Sequence, residues 1–243
     1  MENNLNFIDL FAGASGMSEG FIKAGFNPVS HIEMNPEACL TIKTRAAYHY
    51  LKSKNNLDLY YKYIKSEITQ EAFYKEIPNE ILNSVSNVEI NDDTIAGLFE
   101  KIKQSGKTID LIIGGPPCQA YSLLRRHQDK IENDPRNKLY IQYGRFLKEF
   151  KPKAFVFENV PGLLTANKGE HFKNLKAYFR RIGYEVYHET LIASDFVVLK
   201  PSPGFNFGKS WKASFTLNCW IIFSNSGNPK SLSFFQPTII QEI

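Results

Sequence analysis

Three segments of the chain carry residue types that can do chemistry together. Gly114-Gly115-Pro116-Pro117-Cys118-Gln119-Ala120-Tyr121-Ser122 puts a thiol on a loop stiffened by two prolines, and a thiol held in one attack position is a nucleophile. Phe157-Glu158-Asn159-Val160-Pro161-Gly162 puts a carboxylate, which can hold or release a proton, on a second loop. Phe11-Ala12-Gly13-Ala14-Ser15-Gly16 supplies glycines for a tight turn that a ligand can approach closely. Glu33 stands 17 residues beyond Gly16, about where a carboxylate meets ribose hydroxyls in nucleotide-binding β/α/β units. The other cysteines, Cys39 and Cys219, are read as buried core thiols.

Each segment must be positioned by the apolar run before it. Residues 5–11, Val29–Glu33, Ile109–Ile113 and Lys153–Phe157 read as buried strands, Gly16–Ala24 as a helix, and Asn35-Pro36 as the opening of another helix. Gly183–Ile192 reads as a later strand. This alternation predicts an α/β, Rossmann-like fold, a mostly parallel sheet with helices on both faces and ligands at the carboxyl ends of the strands. A helical insertion is expected over about residues 45–86, where Tyr, Lys, Asn and Glu dominate. Interleaved Tyr and Lys could grip nucleic acid, but a solvated amphipathic helix pair is the favoured reading.

Composition narrows the class. At 243 residues and 43% apolar content, the chain has enough material for a full core. No apolar run approaches the ~18 residues of a membrane span, and the opening residues lack a signal peptide's order. A cytoplasmic location without a membrane partner is therefore expected. Three scattered cysteines exclude a disulfide framework or a zinc knot, so no metal is expected. The net charge of +4 is uninformative about DNA, because residues 1–195 carry 25 basic against 24 acidic side chains and the excess lies in the tail.

In this order the three motifs closely resemble the DNA cytosine carbon-5 methyltransferases, over about residues 5–195. The resemblance implies a catalytic and cofactor-binding domain of the S-adenosylmethionine-dependent methyltransferase fold, acting on cytosine in double-stranded DNA within a restriction-modification system. Cys118 would add to carbon-6 of the cytosine and Glu158 would hold a proton at ring nitrogen 3. Carbon-5, made nucleophilic, would then take the cofactor's methyl group. Phe11, Ala12, Gly13 and Gly16 would hold the cofactor's methionine part, Glu33 its ribose, and Met34, Pro116 and Leu139 would line its pocket. Asp93, or its neighbour Asp92, would meet the adenine amino group. Gln119, Ser122, Arg125, Arg126, Asn159 and Val160 would meet the flipped-out base and its DNA. The family usually has Gly where this chain has Ser15. A transfer-RNA cytosine methyltransferase, a non-catalytic remnant and one half of a split enzyme with a separate recognition subunit are the other readings.

After Phe196 the resemblance stops. Residues 197–243 contain no arginine, whereas the family continues with an arginine motif and a target-recognition domain. A truncated member with little activity of its own is the expectation. One reading of residues 196–243 is out-of-frame translation, since the codons for Pro201–Lys209 shifted by one base can spell an arginine-rich strand. The other takes Thr216–Phe223 as the sheet's final strand.

Overall fold

The computed structural model describes residues 5–117, 139–160, 162–189, 191–192 and 216–224. Asn6–Leu10 (β1) leads into Gly16–Lys23 (α1), and Asn27–Glu33 (β2) into Pro36–Ser53 (α2). Three short helices follow, Asp58–Ile64 (α3), Gln70–Lys75 (α4) and Asn79–Asn83 (α5), before Val85–Asn87 (β3) and Ile95–Lys103 (α6). Leu111–Gly114 (β4), Leu139–Phe150 (α7), Ala154–Asn159 (β5), Gly162–Thr165 (α8), Glu170–Arg181 (α9), Tyr184–Val186 (β6), Leu191–Ile192 (β7) and Thr216–Ser224 (β8) complete the order.

The sheet runs β3-β2-β1-β4-β5-β8-β6, with β7 paired to β8. Its first five strands are parallel, and β8 is antiparallel to both β5 and β6. Burial on both faces explains why β1, β4 and β5 read as continuous apolar runs. On one face Ile8, Leu10, Ile112, Phe155 and Phe157 pack with Tyr143, Phe146 and Leu147 of α7 and Phe179 of α9. On the other, Phe7, Leu111, Ile113 and Val156 pack with Phe21 of α1. Among the described residues, no helix is long and apolar enough to cross a membrane.

Three boundaries differ from expectation. Helix α2 continues past residue 45 to Ser53 because Cys39, Ile42, Ala47 and Leu51 form one buried stripe, so the inserted part proper is α3 to α5. The strand expected over Gly183–Ile192 is two short strands, β6 and β7. Strand β3 was not foreseen; its three residues, Val-Ser-Asn, offer too short a pattern. The tyrosines of the insertion build a small core of its own around Phe73, with the Tyr63 ring stacked on it at 4.5 Å. The insertion is helical, as expected, but holds three short helices with a small core of their own where a solvated helix pair was expected. Thr216–Ser224 is a strand of the sheet, antiparallel to both β5 and β6.

Candidate active site

Parallel order delivers the ends of β1, β2, β4 and β5 to one edge, and each end carries one of the sequence motifs. After β1 the chain turns through Phe11, Gly13 and Ser15, all at positive φ (56°, 53° and 64°). Glycine adopts this conformation freely; Phe11 and Ser15 do so at a local cost of roughly 1 kcal/mol each. The turn is fixed by the Ala12 N–H donating to the Ile32 carbonyl at 3.1 Å and the Ser15 N–H donating to the Ala12 carbonyl at 2.7 Å. Gly16 then opens α1.

Glu33 ties this turn to the next strand. Its Oε2 accepts from the Gly13 N–H and its Oε1 from the Asn35 N–H, each at 2.8 Å. Each oxygen thus has one bond, leaving acceptor capacity on both for a pair of hydroxyls. The corner is braced from behind: the Cys39 thiol donates to the Glu33 carbonyl at 3.3 Å, and the Asn87 amide donates to the Met34 carbonyl at 2.9 Å. Cys39 is buried, and burial pushes its thiol above the ordinary range, as an inert core cysteine requires. Met34 is 64% exposed, a large apolar side chain presented at the strand end.

Asp92 and Asp93 separate cleanly. Asp92 accepts from Gln142 Nε2 at 3.0 Å and from Arg145 Nη1 at 2.5 Å, both on α7. The Gln142 hydrogen bond and the Arg145 charge hold its carboxyl below the usual range. The Asp93 N–H is fixed by Asn91 Oδ1 at 3.1 Å, while its carboxylate has no partner among the described residues.

Glu158 sits near the end of β5, mostly buried, and desolvation raises its pKa. A Cβ added at Gly115 would fall on Glu158 Oε2 and lie 3.5 Å from the Glu158 carbonyl, so only glycine leaves the carboxylate its present seat. Asn159, 5% exposed, donates from Nδ2 to the Pro116 carbonyl at 3.3 Å and accepts from the Val160 N–H at 2.9 Å. Its amide thus joins β5 to the Pro-Pro loop, and the neighbouring Val160 is exposed. Pro116 is buried. Cys118, Gln119, Ser122, Arg125 and Arg126 lie outside the described residues, immediately after Pro117. Leu139 is the first residue of α7 and is half-buried. Tyr143 anchors that helix, its hydroxyl lying 3.0 Å from the carbonyls of both Ile112 in β4 and Val156 in β5. Sequence reasoning missed Gly115, Asn87, Tyr143 and Arg145, whose tasks depend on partners distant in the chain.

The arrangement offers a half-buried carboxylate with a raised pKa beside the loop that leads to a cysteine, and on the same edge a carboxylate with spare acceptor capacity, Glu33, next to the exposed Met34. Among known proteins, the C-5 cytosine-specific DNA methylase model matches residues 5–62 and 53–199. The type II methyltransferase M.Bpa9945I of Bacillus paralicheniformis is 42% identical over a 203-residue alignment that covers 74% of this chain and 46% of that protein. The type II methyltransferase M.AquIA of Picosynechococcus is 30% identical over 206 residues, 82% of this chain and 68% of its own length. The fold matches that of the Entamoeba histolytica methyltransferase EhMeth with a TM-score of 0.55 at 18% identity, covering 91% of this chain and 53% of that one. The chain spans less than half the length of the first curated relatives it matches, 46% and 43%. With the family model matching most of the chain and the motifs of that family meeting at one sheet edge, this chain belongs to the C-5 cytosine-specific DNA methylases.

Proposed function

We propose that the chain is the catalytic domain of a DNA cytosine carbon-5 methyltransferase of a restriction-modification system, using S-adenosylmethionine. The observation that carries this reading is the seat of Glu158. A carboxyl group with a raised pKa stays protonated to higher pH, which suits a group that must hold a proton at ring nitrogen 3 of a cytosine. Asn159 ties this strand end to Pro116, two residues before Cys118, so the proton holder and the nucleophile share one support. With nitrogen 3 protonated, the Cys118 thiolate adds at carbon-6 and leaves carbon-5 electron-rich. S-adenosylmethionine supplies the electrophilic methyl group when bound. Glu33, with acceptor capacity on both oxygens, would hold its ribose hydroxyls. Met34 would cover its adenine and Asp93 would accept from the adenine amino group. Phe11, Ala12, Gly13 and Gly16 would form its floor, with Pro116 and Leu139 at its sides. Gln119, Ser122, Arg125 and Arg126 would approach the DNA.

The test is covalent trapping. A DNA duplex containing 5-fluorocytosine cannot lose the carbon-5 substituent as a proton, so with S-adenosylmethionine present the chain should form a stable protein-DNA adduct, detectable by mass spectrometry after one turnover. Cys118→Ser should abolish it. No adduct with the unaltered chain would overturn the catalytic reading, and an adduct on transfer RNA but not duplex DNA would move the substrate to RNA.

A further inference from the structure

The cofactor reading leaves Arg145 and Gln142 unused, although their side chains hydrogen-bond α7 to the loop that follows β3. Arg145 Nη1 donates to Asp92 at 2.5 Å and to Gln142 Oε1 at 3.0 Å, and Gln142 Nε2 donates to Asp92 at 3.0 Å. The three side chains close a ring of hydrogen bonds. The rest of the loop is held locally: Asn91 Oδ1 accepts from the N–H groups of Asp93 and Thr94, each at 3.1 Å, and the Thr94 hydroxyl donates to the Glu89 carbonyl at 2.6 Å. What those local bonds do not decide is which of two adjacent carboxylates turns toward α7. Arg145 and Gln142 decide it by taking Asp92, which leaves the Asp93 carboxylate without a partner among the described residues. The helix that carries them is itself fixed to β4 and β5 through Tyr143.

We propose that Arg145 and Gln142 are positioning residues for the adenine end of the cofactor pocket: by engaging Asp92 they keep Asp93 as the acceptor for the adenine amino group. This rests on the cofactor reading above. Both donors converge on one oxygen, Asp92 Oδ1, and the arginine charge makes the choice specific, since an arginine draws a carboxylate more tightly than a neutral donor does.

The experiment compares two ligands on the intact chain by titration calorimetry: S-adenosylhomocysteine and its deaminated analogue S-inosylhomocysteine, which has a carbonyl where adenine has its amino group. The unaltered chain should prefer the adenosyl ligand. Arg145→Ala should weaken that ligand about three- to five-fold, the scale of one exposed ion pair, and leave the inosyl ligand unchanged, so that the preference shrinks; Arg145→Lys should retain most of it. A purely structural role would weaken both ligands alike. Equal weakening, no change, or an unaltered chain that binds both ligands equally would overturn the proposal while leaving the cofactor reading standing. An unaltered chain that binds neither would remove the cofactor reading and this inference with it.

Discussion

Two buried ionisable side chains face each other in register across β1 and β2, and their titrations should cancel until one is removed. Asp9 is 1% exposed and His31 is 3% exposed, and they are partners in the parallel pairing. Asp9 Oδ2 accepts from the Ser18 hydroxyl at 2.5 Å, and desolvation, opposed by that bond and aided by the charge of Glu33, raises its pKa from 3.8 to about 7. His31 Nδ1 has no hydrogen-bond partner. Desolvation, opposed by Glu19 and aided by His49, lowers the His31 pKa from 6.5 to about 4. In the unfolded chain both return to their ordinary values. Between pH 4 and 6.5 the folded chain then holds one proton more at Asp9 and one fewer at His31 than the unfolded chain. Asp9 makes stability fall with rising pH and His31 makes it rise, each by about 1.4 kcal/mol per pH unit. Asp9→Asn keeps an acceptor for Ser18 and removes the first slope. The variant should match the unaltered chain near pH 4 and gain on the order of 4 kcal/mol by pH 7. His31→Phe, which keeps an aromatic ring against Phe7, should gain instead as pH falls from 6.5 to 4, on the order of 3 kcal/mol. Urea unfolding followed by circular dichroism at pH 4.5, 5.5, 6.5 and 7.5 measures both differences. Stability profiles that run parallel for the variant and the unaltered chain would refute the reasoning, because they would mean that Asp9 is ionised in the folded state at neutral pH, or that His31 is protonated in it below its ordinary pKa of 6.5.

Three further outcomes follow from the site. Glu158→Gln should slow formation of the 5-fluorocytosine adduct about 10²- to 10⁴-fold without lowering the thermal midpoint, since it removes proton transfer, keeps the shape and relieves a desolvated carboxyl; an unchanged rate contradicts the role given to Glu158. Gly115→Ala should displace the Glu158 carboxylate and slow the same reaction, while ligand binding at the Glu33 pocket, measured by calorimetry, stays as it was. Gly13→Ala meets no atom within 4 Å but must hold φ near +53°, so denaturant unfolding should show a loss of about 1 kcal/mol from backbone strain alone.

The central strands were legible because burial on both faces writes them as unbroken apolar runs, and the helix at Asn35-Pro36 because its cap is local: Asn35 Oδ1 accepts from the Ala38 N–H at 2.8 Å. Glu33 was legible by its spacing from the glycine turn. Other features were not, for physical reasons. The split between Asp92 and Asp93 is made by Arg145, 53 residues away, and no local pattern announces such a pair. The bond from the Asn159 amide to the Pro116 carbonyl joins groups 43 residues apart, so no local pattern shows it. The resemblance implies Gly where this chain has Ser15, and the φ of 64° there gives the reason: it is a side chain where the backbone favours glycine. The insertion begins later than its composition suggests because one buried stripe on α2 runs through the change in composition at residue 45.

The order β5-β8-β6 has a consequence for how the chain must be made. Strand β6 precedes β8 in sequence but joins the sheet through it, so residues 184–186 have no place in the sheet until residues 216–224 have been synthesised. During translation the nascent domain must therefore wait with the β5 edge open, a run of Ala-Phe-Val-Phe flanked by unpaired backbone groups. An open apolar edge is a template for association with other chains. Slow synthesis or a stall between residues 186 and 216 should thus cost this protein more in aggregation than a stall earlier in the insertion, where α2 to α5 close on a core of their own.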